Sequence, residues 1–249
     1  MRESNYFKFT NLVVLLPMMA VLSIWTVYWF EIKYQVNFNL YGVFPRTLKG
    51  LRGIVLSPFI HSSVEHLYNN TIPIAVLTAS LAYFYRSIVF RVLLWGVLLS
   101  GAITWGIGRP SYHIGASGLI YVLVSFVFFK GILSKYYRLV ALSLVVVFIY
   151  GSLLWYIFPV EEGISWEGHL GGFVTGLFLA FVIKAPLPKV RKYEWEREDY
   201  NEEEDEFLKH FDEDGNFIES KPPESPPVDD NIVIKYHFKK DAGEGKEDD

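Results

Sequence analysis

Three short clusters of this sequence carry residue types that acyl-transfer chemistry needs. The first is His61-Ser-Ser-Val-Glu-His66-Leu-Tyr-Asn-Asn70. Residues four apart share one face of a helix, so His66 and Asn70 are placed to donate hydrogen bonds from the same face. Taken alone, this cluster is more typical of a wet helix N-terminus with interfacial polar side chains than of a catalytic site.

The second cluster is His113-Ile-Gly115-Ala-Ser117-Gly118-Leu-Ile-Tyr121. Glycines on both sides of Ser117 allow the backbone to turn sharply and to approach a substrate closely. A serine becomes a nucleophile when a neighbouring base accepts its proton. The alternative is that Ser117 only caps the N-terminus of a helix.

The third cluster is Trp166-Glu-Gly168-His169-Leu-Gly-Gly172-Phe-Val-Thr-Gly176. Its glycines recur every four residues and predict a smooth helix face that a neighbouring helix can approach closely. The same approach would bring His169 within hydrogen-bond reach of the partner helix. The alternative is that the glycines serve packing alone and that the histidine is interfacial.

The elements that must position these clusters are apolar helices long enough to cross a bilayer, which takes about 20 residues each. Hydrophobic residues make up 51% of the chain. A soluble protein with so many apolar helices would have almost no polar surface to expose. The first run has no small-residue cleavage site after it and is expected to be a retained span. Six spans are predicted: 11–30, 66–85, 88–107, 117–133, 138–158 and 169–183.

Charge divides the chain into two environments. Residues 1–184 carry 13 Lys/Arg and 6 Asp/Glu, whereas residues 185–249 carry 10 and 21. We therefore predict a membrane domain over 1–184 and an acidic, Pro-containing, largely disordered cytoplasmic tail over 185–249. The chain has no cysteine, which excludes disulfides and cysteine metal sites.

The distribution of Lys and Arg predicts the orientation of the spans. With the N-terminus inside, eleven basic residues lie on the inner side and five on the outer side, so both termini are expected to be cytoplasmic. This topology predicts a multi-pass membrane protein. It places all three clusters at the outer ends of spans two, four and six, where one shared site can form. The connector 31–63, rich in aromatics, Gly and Pro, is expected to be a long first outer loop lying partly in the membrane interface.

The three motifs, in this order and spacing, resemble the rhomboid family of intramembrane proteases. The resemblance extends over residues 11–184, and the segment from Gly50 to His61 resembles rhomboids of the bacterial type. It implies an all-α, six-transmembrane-helix bundle with a long first outer loop, because no seventh span is visible. The Trp-Arg pair that many family members carry in that loop has no clear counterpart here.

The resemblance also implies roles for individual residues. Ser117 resembles the nucleophile and His169 its base, without an acidic third member, since Glu167 is expected to face an outer loop. The oxyanion donors implied are His66, Asn70 and the Ser117 amide. The supporting residues implied are His61, Gly115, Gly118, Tyr121, Gly172 and Gly176.

By this resemblance the chain is an intramembrane serine endopeptidase that cuts transmembrane segments of membrane proteins through a Ser–His dyad. It would need no metal and no cofactor, would act within the lipid bilayer and would bind no nucleic acid; the oligomeric state stays open. The main alternative is a catalytically inactive rhomboid-like protein that binds membrane clients, against which the presence of both Ser117 and His169 argues. A small transporter would need polar residues along a path through the membrane, and a metalloprotease would need His-Glu-x-x-His, which is absent.

Overall fold

The computed structural model describes residues 7–186, 193–212 and 214–218 of the 249-residue chain. The chain divides into two units, Met1–Val190 and Arg191–Asp249. The first unit is helical, with no strand among the residues described in it. In the second unit the described residues form short 3-10 turns and one isolated bridge between Phe211 and Phe217. Much of the predicted tail 185–249 lies outside the described residues.

The helices of the first unit fall where the sequence predicts apolar runs. Four of the described segments are long and apolar enough to cross a membrane: Asn11–Tyr34, Arg86–Ile107, Ser117–Ser134 and Tyr137–Ile157. The prediction of an all-α fold is therefore confirmed for the described residues of this unit, and these four segments are candidate membrane spans. The α-helices are α1 (Asn11–Tyr34), α2 (Gly53–Leu56), α3 (Val64–Phe84), α4 (Val89–Ile107), α5 (Ser117–Ser134), α6 (Tyr137–Tyr150) and α7 (Trp166–Val182).

The fifth predicted run, 138–158, is the one that differs most from the structure. The α-helix α6 ends at Tyr150, and the chain continues as a 3-10 helix over Gly151–Ile157. In that segment two main-chain carbonyls, of Leu153 and Tyr156, accept hydrogen bonds from side chains of α5 and α7. The 3-10 geometry thus leaves these two carbonyls available to side chains of other helices. Hydropathy does not reveal this change of helix type, because residues 138–158 remain apolar throughout.

The connector between α1 and α3 is folded into short helical turns that pack on the C-terminal end of α4. Val43 pairs with His113 through two backbone hydrogen bonds of 2.9 and 2.8 Å. The Arg46 guanidinium donates to the carbonyls of Gly106 and Gly108 at 3.2 and 2.9 Å. A cation at this position satisfies terminal carbonyls and complements the negative end of the helix dipole.

Helix α5 lies at the centre of the unit, where α7 packs tightly against it. A methyl group on Gly172 would overlap the Gly118 carbonyl, and one on Gly176 would overlap the Val122 carbonyl. The Ser125 hydroxyl also donates to the Phe173 carbonyl at 2.8 Å. The glycine face of α7 therefore permits main-chain contact between the two helices.

We predict that Gly176→Ala destabilises the protein by about 1–3 kcal/mol, because the added methyl group forces α5 and α7 apart. Gly106→Ala in α4 is the matched control, since nothing lies within 4 Å of a methyl group built there. The control is expected to be neutral to slightly stabilising, because the added methyl group meets nothing and alanine favours helix more than glycine does. Thermal unfolding of the purified protein in detergent measures both. Equal unfolding midpoints for the two variants would contradict the close-packing argument.

Candidate functional site

Ser117 begins α5 directly after a turn that only glycine adopts without strain. Gly115 has φ +103°, and its N–H donates to the Ser57 carbonyl at 2.9 Å. The positive φ reverses the chain just before the helix, which places the Ser117 hydroxyl at the mouth of α5. Ser117 lines a cavity whose other lining residues include glycines, apolar side chains and the hydroxyl-bearing residues Ser57, Ser100 and Thr104.

His169, in the first turns of α7, reaches Ser117 across the glycine contact. Its Nε2 lies 2.9 Å from the Ser117 Oγ, and its Nδ1 lies 3.0 Å from the Tyr156 carbonyl oxygen. A carbonyl only accepts hydrogen bonds, so Nδ1 carries the hydrogen of the neutral ring. The Nε2 lone pair is therefore directed at the Ser117 hydroxyl.

The imidazole plane is fixed by Tyr121, one helical turn beyond Ser117. The two rings stack with centroids 4.2 Å apart and planes 10° from parallel. The Tyr121 hydroxyl donates to the Leu153 carbonyl at 2.6 Å. The segment Gly151–Ile157 thus holds both rings of the stack through main-chain carbonyls. Sequence reasoning missed these two acceptors because no residue type signals a main-chain carbonyl.

His66 and Asn70 lie against the turn that precedes Ser117. A methyl group on Gly115 would be 2.6 Å from the His66 Nε2 and 3.8 Å from the Asn70 Nδ2. The buried Asn70 amide donates one hydrogen to the His66 carbonyl at 2.9 Å, which leaves its second hydrogen for another acceptor. The side chains of both predicted oxyanion donors therefore lie beside Gly115, two residues before Ser117.

His61 is buried beneath the same turn. The Ala116 N–H donates to its Nε2 at 3.5 Å, and its Nδ1 lies 3.4 Å from the Phe59 carbonyl. Burial, and to a lesser extent the nearby His66, lowers the pKa of His61 to about 4, although the hydrogen bond to Phe59 opposes this. The ring is therefore neutral and braces the backbone on the N-terminal side of Ser117.

The acidic residue nearest His169 in sequence, Glu167, faces the connector between α4 and α5. Its side chain is buried, and Oε1 accepts a hydrogen bond of 3.0 Å from the Arg109 N–H. The Nδ1 of His169 instead uses the Tyr156 carbonyl. The acceptor that orients the histidine is thus a neutral main-chain group.

Of the glycines in the third cluster, Gly172 and Gly176 face α5, whereas Gly168 and Gly171 have other neighbours. A methyl group on Gly171 would be 3.1 Å from the Ser100 carbonyl of α4. One on Gly168 would be nearest to the Ser165 hydroxyl of its own helix, at 2.9 Å. Of the predicted stripe, Gly172 and Gly176 therefore contact α5, and the contact with α4 is made by Gly171, which lies outside the four-residue repeat.

The fold and the site define an integral membrane protein in which two helices place the Ser117 hydroxyl within hydrogen-bond distance of the His169 imidazole. Residues 49–186, more than half of the chain, match the family described as Rhomboid domain. The chain belongs to the rhomboid family, and the resemblance seen in its motifs is confirmed.

Similar proteins occur in mycobacteria. The chain is 37% identical over 161 residues to the uncharacterized proteins Mb1372 of Mycobacterium bovis and Rv1337 of Mycobacterium tuberculosis. It is 35% identical over 152 residues to the uncharacterized protein ML1171 of Mycobacterium leprae. The alignments cover 60% and 57% of this chain, and 66% and 59% of the relatives' own lengths.

The pKa of His61 predicts how stability depends on pH. Below its ordinary pKa of 6.5 the unfolded chain binds a proton at this residue, whereas the folded protein does so only near pH 4. The folded state is therefore expected to lose stability as the pH falls from 6.5 to about 4, and to gain nothing from His61 above 6.5. Unfolding midpoints measured across this range for wild type and His61→Asn check the effect. Identical pH slopes for the two proteins would contradict it.

Proposed function

We propose that this chain is an intramembrane serine endopeptidase that cuts transmembrane segments of other membrane proteins. The observation that carries the proposal is the 2.9 Å contact between the Ser117 Oγ and a histidine nitrogen that bears a lone pair. A serine placed in this way has a base within the distance that proton abstraction requires. Membership of the rhomboid family supports the same chemistry.

In the proposed mechanism, His169 takes the Ser117 proton on Nε2 as Oγ attacks the carbonyl carbon of the scissile peptide bond. The imidazolium then gives this proton to the leaving amine, and an acyl-enzyme remains. Water, deprotonated by the same nitrogen, adds to the acyl group and releases Ser117. The Tyr156 carbonyl accepts from Nδ1–H throughout and so stabilises the charged ring, as an aspartate does in a triad.

The negative oxygen of the tetrahedral intermediate needs donors that are already in place. We propose that the amide of Ser117 and the side chains of His66 and Asn70 provide them. The support for this is that both side chains lie against Gly115, on the N-terminal side of the nucleophile. Donors fixed before the reaction stabilise developing charge without the cost of reorganisation.

We propose six membrane spans, with α3 and α7 added to the four apolar segments. Helix α3 is less apolar because it carries His66 and Asn70, and α7 is only 17 residues long. At 1.5 Å per residue, α7 is about 26 Å long, close to the hydrocarbon thickness of about 30 Å. This topology makes 1–184 the membrane domain, 31–63 a long first outer loop and 185–249 a cytoplasmic tail, with both termini inside a bacterial plasma membrane.

The proposed substrates are transmembrane helices that contain a stretch of small residues. A helix hides its carbonyls in internal hydrogen bonds, so a local segment must unwind before Ser117 can attack. Small residues weaken the helix at that point. The site at the outer ends of α3, α5 and α7 would receive the unwound segment from the bilayer and water from the outer aqueous phase.

We predict that Ser117→Ala abolishes both cleavage of a transmembrane peptide and labelling by a serine-directed fluorophosphonate. His169→Ala is expected to reduce labelling to background, since His169 is the base that bonds the Ser117 hydroxyl among the residues that the structure describes. Both are measured on the purified full chain in detergent. Wild-type protein that does not label would favour the inactive client-binding alternative. A His169→Ala variant that cleaves at the wild-type rate would exclude the dyad.

We predict that Asn70→Ala lowers kcat by about 10²–10³-fold with little change in KM, because the amide acts on the oxyanion and not on the bound ground state. Asn69→Ala is the matched control, since this neighbouring amide on α3 is exposed. Cleavage kinetics with a fluorescent transmembrane peptide measure both variants. A change in KM alone for Asn70→Ala would assign this residue to substrate binding instead.

A further inference from the structure

A second polar contact joins the connector before α5 to the start of α7. The His113 Nδ1 lies 2.6 Å from the Ser165 Oγ, and the His113 Nε2 lies 3.1 Å from the Arg109 carbonyl. Because that carbonyl only accepts, Nε2 carries the ring hydrogen and Nδ1 accepts from the Ser165 hydroxyl. His113 is buried at 4% exposure and Ser165 is half-buried, which reduces the competition from water for this bond.

Ser165 also has a local role in its own helix. Its Oγ accepts from the Gly168 N–H at 3.2 Å and so caps the N-terminus of α7. The hydroxyl therefore donates its hydrogen to His113 and accepts from α7 at the same time. In this way the contact is made directly to the cap of the helix that carries His169.

The two contacts are placed symmetrically in the chain. His113 precedes Ser117 by four residues, and Ser165 precedes His169 by four residues. The connector before α5 and the start of α7 are thus joined twice, once by His113–Ser165 at 2.6 Å and once by Ser117–His169 at 2.9 Å. Fixing the first distance restricts the second, because both ends of each short segment are held.

Further bonds reinforce the first contact. The Glu167 Oε1 accepts from the Arg109 N–H at 3.0 Å and lies 3.8 Å from the Arg109 Nε. The Arg109 guanidinium donates to the Ile164 carbonyl at 2.5 Å. On its other side, the backbone of His113 pairs with Val43. The connector is therefore held between the first loop and the start of α7.

We propose that His113 and Ser165 are positioning residues that hold Ser117 and His169 at reacting distance. The proposal rests on the proposed protease function and adds residues that act through the dyad without taking part in bond making. The physical reason is that catalysis by a pair on two separate helices is sensitive to displacements of about 1 Å. The hydrogen bond between His113 and Ser165, called the clamp below, restricts the separation of Ser117 and His169. Its entropic cost is small, because Ser165 is already ordered as the cap of α7 and His113 by its backbone pairing with Val43.

The test separates the clamp from the helix cap. His113→Ala removes the clamp and leaves the cap, Ser165→Ala removes both, and Ser165→Thr keeps a hydroxyl for both. His113→Asn keeps an acceptor for the Ser165 hydroxyl and serves as the conservative variant should alanine prevent folding. Each is purified as the full chain, and kcat and KM are measured with a fluorescent transmembrane peptide, together with fluorophosphonate labelling rates and unfolding midpoints.

We expect His113→Ala to lower kcat and the labelling rate about tenfold with KM within about twofold, and His113→Asn and Ser165→Thr to recover most of the loss. In the Ser165→Ala background, His113→Ala should add little, because the pair acts as one unit. Wild-type kinetics for His113→Ala, or strictly additive losses, would overturn the clamp. Wild-type protein that neither labels nor cleaves would overturn the protease proposal itself, so the two failures are distinguishable. A loss that follows the unfolding midpoint alone, with no rescue by Asn or Thr, would reduce both residues to a structural role.

Discussion

The whole site depends on how closely α7 approaches α5, since the hydroxyl and the imidazole belong to different helices. Gly172 and Gly176 allow that approach because neither leaves room for a methyl group against the α5 backbone. A hydrogen bond of 2.9 Å weakens steeply when its partners separate by even an ångström. The packing of the helices and the chemistry of the pair are therefore a single constraint, and a change that loosens the packing reaches the chemistry directly.

The 3-10 segment Gly151–Ile157, which follows α6, also fixes the geometry of the Ser117–His169 pair. Its Leu153 and Tyr156 carbonyls hold the Tyr121 hydroxyl and the His169 ring. An aspartate in this place would have to be kept ionised near the membrane, where an ionised carboxylate is costly. A carbonyl orients the same ring nitrogen and carries no net charge. The apolar surroundings thus give a physical reason why a main-chain carbonyl, and not a carboxylate, orients the histidine of the proposed dyad.

The sequence predicts side chains better than it predicts main-chain roles. Glycines beside Ser117 and His169 make these residues candidates, and the spacing of His66 and Asn70 places both on one helix face. Each cluster alone leaves a structural alternative open, and the roles follow from the resemblance that the three clusters share. The end of α6 at Tyr150 could not be predicted, since the apolar run continues to Phe158. His113 lies within a recognised cluster, yet its partner depends on where α7 begins, which spacing alone does not fix.

One arrangement recurs at three histidines around the site and explains how a polar centre is tolerated here. In each, one ring nitrogen meets a main-chain carbonyl and the other meets an N–H or O–H donor, so the neutral ring is fully bonded and its tautomer is fixed. Burial without such partners would be costly for each ring. The same bonding also leaves one lone pair with a defined direction, which is the property a general base needs. The three sets are His61 with Phe59 and Ala116, His113 with Arg109 and Ser165, and His169 with Tyr156 and Ser117. In the His113 set the donor is also a serine hydroxyl at a helix start beside the same cavity, but only Ser117 has a glycine, Gly118, directly next to it. A bond that stabilises the fold at the other two histidines is therefore, at His169, also placed to start a reaction.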